Sequence, residues 1–422
     1  MNAQELAKKY SGLSLGIGAV GIIVALVGVF MGVGDHDPRN LISYLIGLAF
    51  WLSILIGMLF LVMIWYTFDA GWPIIIRRQV EHALSGFKWL FLLFIPLAII
   101  PLTGPDNAIL WKWMNPNYVM PNGETVANDV LYTAKEAYLN IPFFIVRVVL
   151  IFGLWILLAE AFRKFSISQD ADGDGIWTSR ARRLAGPGLF FMAIGTTLAA
   201  IDWFKSLEFH WFSTMYGVWY FAASMRAALA VIVLITVYLG YKGYLKGLVN
   251  QSHKYLLGCL CLAFTVFWAY ISFSQYFLIY MANIPEETFW YNIREKNPNG
   301  ELNSWWWVSM GLVFGHFFAP FLSLLFYNTK IRTPALVTAA CWILFFCVLD
   351  IFWNILPGKL TDTDPASLVG YQVRQFSINP FDLASLIGVG GIVAWAFFSS
   401  MKKHEIIPIR DPHVLESINY HE

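Results

Sequence analysis

Six ionisable side chains lie within or at the edges of long apolar runs: Arg147, Glu160, Asp202, Arg226, His316 and Asp350. At bilayer depth a charge costs at least roughly 2.5–3.5 kcal/mol, so such residues persist there by pairing, by passing protons or by meeting a ligand. Two guanidiniums and two carboxylates allow neutral pairs, Arg147 with Asp202 and Arg226 with Asp350 or Asp202. Pairing alone would make them packing devices. A polar chain reaching one membrane face through Glu160 would make them a proton path. A third arrangement has an aspartate or His316 accept a proton from a bound headgroup, which requires general-base geometry at a cleft open to lipid. None of the six is assigned a catalytic role by its residue type alone.

Other ligand chemistries are poorly served. A membrane haem b needs two histidines facing each other at mid-depth. Of eight histidines, His36, His82, His253, His404, His413 and His421 fall in loops or tails, His210 falls in a link, and His316 alone falls inside a span. Cys259, Cys261, Cys341 and Cys347 stand in apolar runs without CxxC or CxxCH spacing. That argues against covalent haem c, thiolate-held iron–sulfur clusters and disulfides, and they read as small core residues. The loop QDADGDGIWTSR (169–180) places Asp170, Asp172, Asp174 and Gly175 at the opening spacing of a calcium loop. Ala181 stands where that geometry requires a bidentate Glu, so the loop reads as a solvated acidic turn beside Arg180, Arg182 and Arg183. No metal site and no redox cofactor held by this chain is expected.

The elements that must position these residues follow from composition. Of 422 residues 58% are hydrophobic and 13% charged, against about 25% charged in soluble domains, so a membrane setting is required and lipid is the expected surrounding. The net charge of +1, with no clustered basic excess, gives no reason to expect a nucleic-acid partner. A crossing needs about 20 apolar residues. Ten segments qualify, near 14–33, 41–68, 86–104, 141–162, 186–204, 214–241, 255–282, 304–327, 333–356 and 381–401. The fold class is therefore all-α, a polytopic integral membrane protein forming a single membrane domain over 1–422. The first apolar run reaches spanning length without a small-residue cleavage site, so it is expected to remain as a span. Of the 28 Lys and Arg, eighteen fall on the side of the termini, eight on the other, and Arg147 and Arg226 within spans. The positive-inside rule then predicts that both termini are cytoplasmic. The longer loops, rich in Trp, Asn and Pro, face the other side and could dock extramembrane subunits.

An internal repeat is suggested by the fifth and ninth spans, where LAAIDWF (198–204) resembles CVLDIFW (347–353) and puts Asp202 and Asp350 at matching depths. IFGLW (151–155) and VFGHF (313–317) give a weaker echo between the fourth and eighth. Two four-helix bundles would explain both matches, spans two to five (41–204) and six to nine (214–356), flanked by the first and tenth spans.

The link DWFKSLEFHWFSTMYG (202–217) mixes charges with Trp203, Phe204, Phe209, Trp211 and Phe212. It reads as an amphipathic segment at the outer interface, with Lys205, Glu208 and His210 toward water or a partner. WWW (305–307) reads as an aromatic belt. Within and beside the link, Ser206, Leu207, Glu208, His210, Trp211, Phe212, Ser213, Thr214, Tyr216 and Gly217 carry the pattern SLExHWFSTxYG. In a ten-span chain, this pattern resembles the F subunit of bacterial alternative complex III, a quinol:cytochrome c oxidoreductase. More loosely the chain resembles the polysulfide-reductase (NrfD-like) membrane subunits.

The resemblance implies an assembly in the bacterial cytoplasmic (inner) membrane containing a paralogous ten-span C subunit, an iron–sulfur B subunit and cytochrome c subunits bearing haem c. Menaquinone or ubiquinone would supply the electrons. Within such an assembly this chain is expected to lack a redox cofactor and to support proton translocation or the structure of the quinol-oxidising unit; alone, it is not expected to be catalytic. Direct quinol binding by this chain is the alternative, with quinone-binding residues unassigned. A secondary transporter is a third reading, less favoured because the repeat runs parallel and no pair of spans is obviously interrupted.

Overall fold

The computed structural model describes residues 3–120, 123–361 and 371–420; His421 and the middle of the 357–380 loop lie outside them. Among the described residues ten helices are long and apolar enough to cross a membrane. In chain order they are Ala3–Gly34, Arg39–Thr67, Ile74–Thr103, Ile141–Asp172, Ile176–Glu208, Tyr216–Tyr241, Gln251–Ala282, Ser304–Leu325, Thr333–Ile355 and Pro380–Met401. Among the described residues the paired strands are β1 (Lys359–Thr361) and β2 (Tyr371–Val373), an antiparallel pair between the last two spans with Leu360 opposite Gln372.

Helix ends follow local chemistry. The side chains of Asn140, Asn250, Asn303 and Asn379 each accept a first-turn backbone N–H, which satisfies donors that the helix leaves orphaned. Pro142 and Pro380 sit in first turns, where a missing N–H costs nothing. Gly173 ends the fourth span in the left-handed region, at φ 75°, as a side chain would resist.

Several helices overrun their apolar stretches on the face that carries the termini. The third begins at Ile74 rather than near 86, and the fourth runs to Asp172 rather than 162. Hydropathy stops at charges, whereas the helix continues because these charges are paired. Arg77 meets Asp411 at 2.6 Å and Glu81 at 3.2 Å, and Arg78 meets Asp170 at 2.6 Å. The 169–180 turn is thus more than solvated. Asp170 binds Arg78 and accepts the backbone N–H of Ile409, tying down the C-terminal segment, while Asp172 and Asp174 accept local N–H groups.

Spans two to five form one four-helix bundle and six to nine a second. Phe91 on Phe152 and Phe152 on Trp203 join the third, fourth and fifth spans. Gly315 against Phe346 and Trp342 Nε1 donating to Gly315 O at 2.7 Å join the eighth and ninth. The bundles meet along the second and sixth spans, where Tyr220 donates to Ala49 O at 2.8 Å and Gly57 faces Ser224 O. The fifth span packs on the sixth, and the ninth on the second, as a twofold relation between bundles requires.

The first and tenth spans pair with each other and pack on the second and third, where Trp51 Nε1 donates to Leu386 O at 2.7 Å. A Cβ at Gly21 would stand 2.5 Å from Gly388 Cα, and one at Gly391 would stand 2.5 Å from Gly18 Cα, the close backbone approach that small residues permit in lipid. Ser11 and Ser399 share a 3.0 Å hydrogen bond at one end of this pair, so the two termini emerge on one face. At the other end Arg39 of the second span meets Asp382 of the tenth at 2.6 Å.

Candidate functional site

In the first bundle Asp202 lies near the end of the fifth span, on the face opposite the termini, within a short π-helical stretch, Ala200–Phe204. Its carboxylate receives Arg147 Nε at 2.5 Å and Tyr138 Oη at 2.7 Å. Arg147 Nη1 donates to Tyr138 O at 2.9 Å, and its guanidinium lies over the Tyr138 ring. The acid is fully buried and Arg147 nearly so. Toward the terminal face the bundle core is aromatic: Phe152, Trp155 and Trp203 pack with Phe94 and Phe87. Glu160 lies beyond that layer with its side chain 45% exposed, paired to Arg163 at 2.7 Å. The expectation that Glu160 extends the buried set to the membrane face is corrected: apolar rings separate it from Arg147 and Asp202.

The second bundle holds a different arrangement. Arg226 of the sixth span does not reach Asp350 within ion-pair distance among the described residues, which corrects the pairing read from sequence. Its Nη1 lies 2.7 Å from His316 Nε2 and its Nη2 donates to His316 O at 2.8 Å. A guanidinium can only donate, so His316 Nε2 accepts, and the ring is neutral with its proton on Nδ1. His316 occupies a π-helical stretch, Leu312–Phe318, of the eighth span. Asp350 of the ninth receives Trp219 Nε1 at 3.1 Å and Trp268 Nε1 at 2.9 Å on one oxygen, and Asn354 Nδ2 at 3.1 Å on the other. His316 Nε2 lies 3.9 Å from Asp350 Oδ2. Imidazole therefore sits between cation and anion, and all three are buried. His316 Nδ1 and Arg226 Nε are buried and have no hydrogen-bond partner among the described residues.

Polar groups continue from Asp350 toward the face opposite the termini. Asn354 lies one turn on, its carbonyl accepts Arg294 Nη2 at 3.1 Å, and Arg294 Nε donates to Trp353 O at 2.9 Å. Arg294 sits outside the spans, and burial pushes its guanidinium down to about 9. Toward the terminal face the side chains grow less polar, through Cys347, Cys261 and Thr265, all buried.

Other placements differ from expectation. The 202–217 link is not a surface segment: Trp203, Phe204, Phe209 and Trp211 are buried, Phe212 is exposed, and Trp211 stacks on Trp290 at 4.2 Å. His210 meets Asp129 at 3.0 Å, and Ser213 donates to Gln275 at 2.8 Å, so the link is built into the seam between the bundles. Lys135 donates to Phe209 O at 2.6 Å, and burial lowers the affinity of its amine for a proton. His82 and His253 are buried in helices rather than in loops; His82 lies between Ser400 Oγ and Glu405 O. Cys341 is exposed on the ninth span, unlike the core role expected of it. In the WWW run Trp307 is exposed as a belt residue would be, whereas Trp305 is buried and donates to Arg374 O.

Sequence reading missed Trp219, Trp268 and Asn354 as partners of Asp350. Asn354 carried a usable signal, since it follows Asp350 by four residues on one helix face. No family model and no curated protein matches this sequence.

Proposed function

We propose that the chain is a membrane subunit of a respiratory quinol:cytochrome c oxidoreductase of the alternative-complex-III type, in which its second bundle moves or compensates protons. In this reading it lies in a bacterial cytoplasmic membrane with both termini in the cytoplasm. It binds no redox cofactor and works beside the paralogous ten-span, iron–sulfur and cytochrome c subunits, which hold haem c and the clusters. The support for the assembly is the SLExHWFSTxYG resemblance. The observation that carries the proton role is the Arg226, His316 and Asp350 cluster, where a neutral imidazole stands between a guanidinium and a carboxylate held by neutral donors.

Such an arrangement can take up a proton and favours giving it back. Protonation of Asp350 removes the anion and leaves Arg226 as an unbalanced cation in a medium that stabilises it poorly. Asn354 and Arg294 continue the polar contacts toward the far face. Enclosure of the cluster favours proton transfer over the binding of a quinone head, which would need an opening to lipid.

Asp350→Asn in the intact assembly, reconstituted in vesicles, separates the readings. Quinol-driven cytochrome c reduction is expected to persist at reduced rate while the protons released per electron fall. An unchanged proton-to-electron ratio would refute the proton role. Loss of quinol binding would favour a direct quinol site. An isolated complex that contains no cytochromes would remove both and favour transport.

A further inference from the structure

A cavity of about 50 Å³ lies at the seam between the bundles, on the face opposite the termini. At roughly 10–15 Å³ for each water it has room for a few. Tyr216, the first residue of the sixth span, forms part of its wall, together with Asn354, Arg294, Arg374, Lys205 and Glu208. The charges here have countercharges: Glu208 acts on Arg294 and Lys205, and Arg374 meets Asp37 at 3.9 Å. What the wall holds in surplus is hydrogen-bonding capacity.

Tyr216 is 1% exposed, and its phenol oxygen is buried with no hydrogen-bond partner among the described residues. Arg374 Nη1 is in the same condition. The Tyr216 ring packs against Trp211 and Trp219, at 5.8 and 5.0 Å between centroids. Those rings hold it in place but leave its hydroxyl unmet, because Trp219 Nε1 is spent on Asp350. A buried hydroxyl without a partner is costly, and water meets it where a polar cavity adjoins.

The same wall leads inward. Asn354 Nδ2 donates to Asp350 Oδ1 at 3.1 Å, and Asn354 also lines the cavity. Arg294 and Asp350 are the charged groups that act on the Tyr216 phenol. Water in the cavity therefore stands one side chain away from Asp350. An amide nitrogen only donates, whereas a hydroxyl both donates and accepts. Between Asp350 and the cavity, Tyr216 can thus hand a proton on while staying neutral.

We propose that Tyr216 and the water of this cavity form the proton outlet of the second bundle, an inference that rests on the proton role of Asp350. A proton leaving Asp350 reaches the phenol oxygen through a water at Asn354, while the phenol's own proton passes to the cavity water. The hydroxyl then turns back, and the excess proton leaves past Lys205 and Glu208, both partly exposed. Tyr216 gains no net charge, and Asn354 is a positioning residue.

The test compares Tyr216→Phe with Asp350→Asn in the intact assembly, reconstituted in vesicles. Because the phenol holds no other described side chain or backbone group, Tyr216→Phe should leave the melting temperature unchanged. Its proton release should slow about tenfold or more, toward the scale of a lost acid–base group. If Asp350→Asn lowers the protons released per electron and Tyr216→Phe leaves release at the wild-type rate, the outlet is overturned and the proton role stands. If neither variant changes release, both fall. A drop in melting temperature with release intact would make the phenol a structural group and overturn the outlet. Radiolytic footprinting reads the water without turnover: Tyr216 should be oxidised faster than Tyr220, which is equally buried but donates to Ala49 O. Equal rates at the two tyrosines would also overturn the outlet.

Discussion

The two bundles place an aspartate at corresponding depths, six residues from the end of the fifth span and five from the end of the ninth, and then surround it differently. Asp202 touches its guanidinium directly and takes a phenol as well. Asp350 takes two indoles and an amide, and its nearest guanidinium is occupied by an imidazole. A direct, fully desolvated pair is neutral as built, and neither partner can change its charge without stranding the other. Charges held apart by a titratable ring can be joined or parted by moving one proton. The same acid at the same depth is thus a clasp in one bundle and a candidate relay in the other. The aromatic layer behind Asp202 and the polar steps beyond Asp350 point the same way.

The largest expected difference is functional. We predict that His316→Leu lowers proton-coupled turnover of the assembly about 100-fold or more, the scale of a lost general acid–base group. Asp202→Asn should alter it less than about threefold. Equal losses in assembled complexes would erase the distinction between the bundles.

Next comes stability. Arg147→Met should cost about 3–5 kcal/mol by leaving the buried Asp202 without its countercharge, and adding Asp202→Leu should recover most of that. The corresponding double-mutant cycle for Arg226 and Asp350 should give a coupling smaller by about 1 kcal/mol or more, because the groups do not touch. Reversible unfolding in mixed micelles measures both; a larger coupling in the second bundle would contradict the separated-charge description.

The neutral donors set the finest scale. Trp268→Phe should destabilise by about 1–3 kcal/mol through an unmet carboxylate lone pair. Tyr138→Phe should cost only about 0.5–1.5 kcal/mol because Arg147 remains on Asp202. The order of these two values in the same unfolding assay is the observable, and its reversal would show that Asp202 leans on the phenol.

Apolar run length made the ten spans legible, and the pairing of Arg147 with Asp202 was legible because opposite charges in lipid must meet. The role of His316 was hidden, because it reaches Arg226 across 90 residues of chain and one charged residue gives no hint of a neutral partner. Trp219 and Trp268 were hidden for a related reason: indoles abound here, and only the fold distinguishes a carboxylate donor from a belt residue. Glu160 misled because its place in the sequence resembles that of a buried acid, although its side chain points to the surface. The π-helical stretches around Asp202 and His316 left no sequence signal, since an extra residue in a turn changes neither composition nor hydropathy.

The glycine seam of the first and tenth spans has a consequence for how the chain is made. Ser11 and Ser399 are 388 residues apart in sequence, and translation proceeds at about 5–20 residues per second. The first helix therefore waits roughly 20–80 s for its mate at those rates. During that interval its glycine-lined side faces lipid or an insertion factor, and loss of the last helix would leave it permanently unmatched.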